Sequence, residues 1–391
     1  MIKPENEFKV GTYDLNPQPN FNFQLNRIIL WNGGSLEDIR RIASKITDST
    51  SWKRELIALG DRASAEGRSK EAIAYYRMSE FFMFDGDPDK KKYYRLATEM
   101  FYEYYREYFD SQTVLRHEVP YEGVRLPVLH VRAKGEKKNT VLLHGGNDSY
   151  FEEFFFPMLY LAENGFDVYL FEGPGQGGVL RVQGKHFTYQ WEKPVKAILD
   201  TLKLDDVTII GASLGGMLAP RAAAFEKRIR GVIAWSVFPS FWDVLYAKYP
   251  RKIQKMMVAL MDLKAKKLIN FIFRRMLGKG DEMLQWGLKH GLYAYEAQSP
   301  YDLLQKMRKY QMMDIAPLIE QDMLIIGANK DHFIDYHTVN KEIDVLTNVK
   351  SLTVRIFTDQ ENAGGHCNVG NSKLVLDTMM DWIEMIKAKN E

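Results

Sequence analysis

Val207-Thr208-Ile209-Ile210-Gly211-Ala212-Ser213-Leu214-Gly215-Gly216 runs from an apolar strand pattern, through a G-x-S-x-G turn, into a helix that continues Met217-Leu218-Ala219. A serine on such a strand-to-helix turn is held in strained backbone with its hydroxyl projecting clear of the sheet. Gly211 and Gly215 let neighbouring backbone close in around it. The amide of Leu214, at a helix N-terminus, is left free to donate to a developing oxyanion. The short pattern alone is weak, because Gly/Ser turns arise by chance. Its strand–turn–helix context is what makes Ser213 a candidate nucleophile.

A nucleophilic serine needs a base, and the base needs an orienting carboxylate. In this strand–turn–helix setting the chain order is Ser, then acid, then His. Downstream, the strand pattern Met323–Ile326 leads to Asn329-Lys330-Asp331-His332, which makes Asp331 the candidate orienter and Asp335 its reserve. After the strand pattern ending at Phe357 comes Ala363-Gly364-Gly365-His366-Cys367, where His366 lies on a Gly-rich loop before the last helix. The turn after the third strand, His144-Gly145-Gly146-Asn147-Asp148, offers the amide of Gly146 or Asn147 as a second oxyanion donor. His144 reads as structural. Cys367 lacks an elbow and reads as a small buried residue. Glu172-Gly173-Pro174-Gly175-Gln176-Gly177-Gly178 lacks a P-loop lysine and a dinucleotide-type helix start, so it is expected at the pocket rim rather than on a phosphate. His332 and His337 have no metal-ligand spacing, and neither a metal nor another cofactor is implied.

Working outward, the remaining strand patterns are Val114–Val119, Val124–Val131, Thr140–His144, Asp167–Phe171, Gly231–Trp235 and Ser351–Phe357. The first two form a meander around Glu122-Gly123, and from residue 140 strands alternate with helical patterns. That alternation predicts a mostly parallel eight-stranded α/β sheet with helices on both faces. Residues 1–110 carry apolar residues at helical spacing in Leu36–Ile46, Trp52–Gly67, Ser69–Phe84 and Asp89–Phe109, dense in Tyr and Phe, and read as an N-terminal helical lobe. Residues 237–316 interrupt the alternation and read as a helical lid insertion over the C-terminal edge of the sheet. The catalytic domain is then 111–236 with 317–391. Within the insertion Arg251, Lys252, Lys255, Lys264, Lys266, Lys267, Arg274 and Arg275 interleave with apolar residues. Such a pattern suits a membrane or partner surface, but more often has its apolar side on the core, which is the expectation here.

The 391 residues are 46% hydrophobic and 27% charged, with 53 Lys+Arg against 51 Asp+Glu, a net charge of +2. No basic excess points to nucleic acid. A single cysteine excludes an internal disulfide and suits a reducing compartment. Met1-Ile2-Lys3-Pro4-Glu5-Asn6-Glu7 has no apolar leader core, and no run is long enough to span a membrane, so a cytoplasmic protein is expected.

These motifs together resemble the α/β-hydrolase superfamily, and within it the branch of 2,6-dihydroxypseudooxynicotine hydrolases and fungal polyketide-shortening hydrolases, which carry a helical N-terminal lobe and a Pro-Gly-Gln-Gly loop. The resemblance covers roughly residues 110–391, and the first 110 more loosely. It implies a serine hydrolase with Ser213, Asp331 and His366 as triad, Leu214 with Gly146 or Asn147 as oxyanion hole, and a small acyl substrate split at an ester, amide or aryl-ketone C–C bond. Members of this branch are also named acylaminoacyl- or dipeptidyl-peptidase-like. That leaves a peptidase on short peptides as an alternative, although 110 helical residues cannot supply the β-propeller those peptidases carry. A catalytically silent scaffold whose lobe binds a protein is the reading from another class. The aromatic lobe is also compatible with a homodimer.

Overall fold

In the computed structural model, residues 8–84, 86–247, 249–277 and 282–389 are described. Met1–Glu7, on which the expectation about a leader rests, lie outside them. Eight strands form one sheet: β1 Leu115–Tyr121, β2 Val124–Val131, β3 Asn139–His144, β4 Phe166–Phe171, β5 Val207–Ala212, β6 Ile229–Trp235, β7 Asp322–Ala328 and β8 Ser351–Phe357. Their order is β1-β2-β4-β3-β5-β6-β7-β8. β1 and β2 run antiparallel to their neighbours and the other pairings are parallel. The β1–β2 turn places Glu122 (φ 39°) and Gly123 (φ 83°) in left-handed backbone, the conformation a two-residue hairpin with the native strand twist demands.

The central strands are apolar at every position because both faces are covered. All six residues of β5 are buried. Helices Glu192–Leu202 and Gly215–Phe225 pack with β5 and β6 into one core, which holds Trp191, Ile209, Leu218 and Val232. Phe155–Glu163 and Ser372–Ala388 build the other, with Phe155, Ile210, Trp235 and Trp382. The strand order reverses between β3 and β5, which pair directly with His144 opposite Gly211. At such a switch point the two chains leaving the strands diverge and open a crevice beyond their C-terminal ends.

The six helices of the N-terminal part run Pro19–Leu30, Leu36–Ala43, Ser49–Ala65, Ser69–Ser79, Pro88–Tyr104 and Arg106–Asp110. Asp87 caps the fifth by accepting from the Asp89 amide, with Pro88 at its first turn. Tyr75, Phe81, Phe82, Tyr93 and Tyr94 are buried. Tyr75, Phe81, Phe82 and Tyr93 pack in one cluster with Trp52, and with Tyr150 and Trp286 from outside these helices. The helix Pro19–Leu30 has no counterpart among the expected elements. Asn20, Gln24, Asn26 and Arg27 are buried along with Phe21, Leu25 and Ile28, so its polar residues do not mark a solvent face.

Residues 237–316 hold helices Phe241–Tyr246, Arg251–Asp262, Lys266–Leu277, Glu282–Ala294 and Pro300–Met307. The expectation that the basic segment turns its apolar side onto the core holds only in part: Phe273 and Leu277 pack on it. Within Arg251–Leu277 only Met257, Met261 and Ile269 are buried, while Ile253, Met256, Leu263, Leu268 and Phe271 face solvent.

The start of this region is pinned by Glu342, fully buried, whose carboxylate accepts from the Phe238 amide at 3.0 Å. Burial, with Asp243 adding to it, pushes the Glu342 carboxyl up to about 8. The native state therefore binds this proton more tightly than the unfolded chain, and stability falls as pH rises from the ordinary Glu value through about 8. Glu342→Gln keeps the acceptor for Phe238 but has no charge to bury. Thermal melts should show it gaining on wild type across that window, by on the order of 3 kcal/mol at pH 9, with little difference at pH 4.

Candidate active site

Ser213 sits immediately after β5 with φ 58°, left-handed backbone that a non-glycine residue adopts only when its surroundings hold it there. Close packing does the holding. A Cβ on Gly211 would lie 2.2 Å from the Gly215 carbonyl oxygen, and one on Gly216 would lie 2.3 Å from that of Ser236. The Ser213 amide donates to Trp235 O at 3.1 Å, tying the turn to β6.

His366 lies on the turn after β8 and is buried. Its Nε2 is 2.9 Å from Ser213 Oγ and its Nδ1 2.6 Å from Asp331 Oδ2. Asp331 follows β7, and its second oxygen accepts from the amides of Phe333 (2.8 Å) and Ile334 (3.0 Å). Burial disfavours charge on both partners, yet each stabilises the other. The Asp331 carboxylate holds the His366 imidazole well above its ordinary value. Protonated His366 and the two amides hold the Asp331 carboxyl below the usual carboxylate range. The Phe23 ring closes over His366 at 5.7 Å, edge to face. The reserve acid Asp335 is elsewhere, accepting from the His337 amide and ring.

The His144–Asp148 turn abuts this group: a Cβ on Gly146 would meet the Ser213 Cβ at 2.7 Å and the Leu214 nitrogen at 2.8 Å. The Gly146 amide already donates to Ser149 Oγ at 3.0 Å. The amides of Asn147 and Leu214 have no hydrogen-bond partner among the described residues. The Asn147 side chain accepts from the Tyr295 hydroxyl at 2.7 Å, so residues 237–316 hold this turn from above. His144 is fully buried and burial lowers it to about 4, which keeps the ring neutral beneath the turn.

The Glu172–Gly178 loop does not line the cavity, and the expectation of a rim is corrected. Gln176 Nε2 donates to the carbonyls of Gly145 (2.8 Å) and Gly146 (3.1 Å) from behind. Glu172 accepts from the amides of Phe151 (3.0 Å) and Gly178 (2.8 Å). A Cβ on Gly177 would fall 1.7 Å from Glu172 Oε1, so the glycines are there to let these two side chains turn inward. The loop braces the turn that faces Ser213.

Ser213 and His366 open onto a cavity of about 540 Å³. Its walls are overwhelmingly apolar: Phe23 and Trp31 from the first helix, Phe238, Tyr246, Met257 and Phe273 from the insertion, and Phe333 beside Asp331. The few polar lining groups, Gln24, Arg27, Asn147 and Asp148, gather at one end near the His144–Asp148 turn. Cys367 also touches the cavity, buried beside His366. Sequence reasoning placed Ser213, Leu214, Gly146, Asn147, Asp331 and His366, and the fold brings all six together. It did not find Phe23, Tyr295 or Ser149, which reach the site only through tertiary packing.

A sequence profile described as the alpha/beta hydrolase fold matches residues 140–362, more than half of the chain. The chain belongs to the alpha/beta hydrolase family. This hydrolase is similar along most of its length to fungal enzymes. It is 25% identical over 362 residues to the hydrolase acrC of Aspergillus aculeatus, covering 84% of this chain and 83% of that one. It is 26% identical over 407 residues to the 20-hydroxy-prefusarin hydrolase FUS2 of Gibberella moniliformis, covering 93% and 96%. Its fold superposes on 2,6-dihydroxy-pseudo-oxynicotine hydrolase with a TM-score of 0.65 at 20% identity, over 92% of this chain and 94% of that one. The hydrolase is therefore a hydrolytic enzyme, and among its described residues no helix is long and apolar enough to cross a membrane.

Proposed function

We propose that this hydrolase cleaves a predominantly apolar acyl substrate through Ser213, His366 and Asp331. One observation carries the reading: a single imidazole bridges Ser213 Oγ at 2.9 Å and Asp331 Oδ2 at 2.6 Å, at the floor of the apolar cavity. Ser213 Oγ attacks the substrate carbonyl while His366 Nε2 takes its proton. Asp331 keeps Nδ1 protonated and supports the imidazolium that forms. The amides of Leu214 and Asn147 receive the oxyanion; the Gly146 amide is excluded because Ser149 already occupies it. His366 then returns the proton to the leaving group, and a water activated by the same nitrogen releases the acid. Ester, amide and ketone C–C cleavage share these steps up to the choice of leaving atom.

In this reading residues 1–110 form a lobe, 111–236 with 317–391 the catalytic domain, and 237–316 a lid that covers the cavity and limits bulk water there. The cavity's chemistry favours a substrate with a large hydrocarbon or aromatic body and one polar end against Gln24 and Arg27. The names of the prefusarin and pseudo-oxynicotine hydrolases are in keeping with that class. No feature of the site favours the peptidase or the scaffold.

The test is covalent trapping. A fluorophosphonate should label the protein stoichiometrically, and peptide mass spectrometry should place the phosphonyl group on Ser213. A label on another serine, or none on the folded protein, would overturn the assignment.

A further inference from the structure

The basic segment takes no part in the chemistry proposed above, yet its surface is unusual. Helices Arg251–Asp262 and Lys266–Leu277 are joined by a turn with Lys264 in left-handed backbone (φ 52°). Tyr249, Ile253, Met256, Leu260 and Leu263 recur at alternating intervals of four and three, so they form one stripe along the first helix. Most of that stripe faces out: Met256 is 48% exposed and Leu263, at the turn, 78%, whereas Leu260 is half-buried against Met257 and Met261. Leu268 (48%) and Phe271 (49%) carry it onto the second helix. At the other end Tyr249, Ile253 and Met256 also line the cavity, so the exposed apolar residues begin at the cavity's edge and resume at the turn.

The stripe is flanked by eight cations, Arg251 to Arg275, and one acid, Asp262, whose carboxylate is already held by Arg308 at 3.0 Å. None of the eight has an acidic partner among the described residues. The whole chain carries +2, so the +7 of this segment is set against a net −5 elsewhere. Exposed apolar side chains next to cations that have no acidic partner among the described residues form the pattern that lies in a bilayer interface, apolar side chains in the acyl boundary and cations on the headgroups. A second copy of the chain would bring eight like charges against eight.

We propose that this helical pair docks the hydrolase on an anionic lipid surface, with the cavity opening toward the bilayer. An apolar substrate partitioned into lipid would then reach Ser213 without crossing water.

Cosedimentation of the full chain with extruded vesicles tests it. Vesicles containing phosphatidylglycerol should bind at least tenfold more tightly than pure phosphatidylcholine, and raising the salt should release the protein. Leu263→Asp with Phe271→Asp, and separately Lys264→Glu with Lys267→Glu, should each weaken binding by more than about tenfold at an unchanged melting temperature. Fluorophosphonate labelling of the same variants should match wild type, which separates failure of the docking surface from failure of the serine assignment. Equal binding to both vesicle types, variants that bind like wild type, or folded wild type that ignores anionic vesicles would each overturn the proposal. So would light scattering that shows a dimer broken by these substitutions without vesicle binding.

Discussion

Ser213→Ala is expected to lower kcat/KM on the order of 10⁶-fold, and Asp331→Asn on the order of 10⁴-fold, with both variants folding like wild type. The difference follows from the roles. In the proposed mechanism no acyl-enzyme forms without Ser213, and what remains is background from the oxyanion amides. Without the Asp331 charge the nucleophile and base are present, but His366 loses the anion that fixes its Nδ1 proton and supports the imidazolium. The pH profile separates the two effects. Rate requires neutral His366, so activity rises with pH through the His366 pKa, which Asp331 holds well above the ordinary imidazole value against the pull of burial. In Asp331→Asn burial is opposed only by the smaller effect of Cys367, and the acid limb of the kcat/KM profile should move to lower pH even as its plateau collapses. A variant whose limb stays in place, or moves up, would show that Asp331 does not face the base. The same coupling contributes to stability in both directions of pH. The His366 part is present below the ordinary imidazole value and is lost as pH rises through its raised one. The Asp331 part is present above the ordinary carboxyl value and is lost as pH falls through its lowered one.

Local signals carried most of this fold. All eight strands lie within two residues of the sequence patterns, because a buried parallel strand such as Val207–Ala212 is a continuous apolar run between polar turns. The bridging trio was legible for a related reason: in this topology each member follows a strand end, so a motif position fixes a place in space. The misreadings have other causes. Glu172-Gly173-Pro174-Gly175-Gln176 reads as a glycine-rich rim, but Glu172 and Gln176 point into the protein, where they satisfy the amides of Phe151 and Gly178 and the carbonyls of Gly145 and Gly146. Burial of a polar side chain on a backbone partner leaves no trace in a hydropathy pattern. Pro19–Leu30 escaped because it is buried on nearly every side, polar residues included. The basic insertion was partly misjudged by base rate, since an interleaved apolar residue on a helix is usually inside, and here Leu263 and Phe271 are not.

Those buried polar groups of the first helices are not isolated. Arg77, 2% exposed, pairs with Glu152 at 2.8 Å, donates to Thr98 Oγ1 at 2.8 Å, and lies between the rings of Tyr94 and Tyr150, each 4.6 Å away. Arg27 pairs with Glu153 at 2.6 Å, so the helices Pro19–Leu30 and Ser69–Ser79 are fastened to the segment just past Asn147 by charges taken out of water, and Arg181 pairs with Glu80 at 2.8 Å to tie the end of Ser69–Ser79 to residues 177–181. Such pairs add little net stability over well-packed apolar groups, but removing one partner strands the other. Arg77→Met should therefore cost roughly 3–5 kcal/mol in urea unfolding, a large share of the 5–15 kcal/mol typical of a domain. The cost should depend on pH. Burial and Glu152 raise the Glu172 carboxyl to about 8, and Arg77 is among the groups that oppose this. With Arg77 gone, Glu172 resists ionisation more strongly, and the native state holds a proton that the unfolded chain releases near the ordinary Glu value. Stability of Arg77→Met relative to wild type should then fall as pH rises past about 8, and Glu152→Gln in the same chain should recover part of the loss. A penalty independent of pH, unrelieved by the second substitution, would mean that the cost comes from lost packing between Tyr94 and Tyr150 and not from the stranded carboxylates.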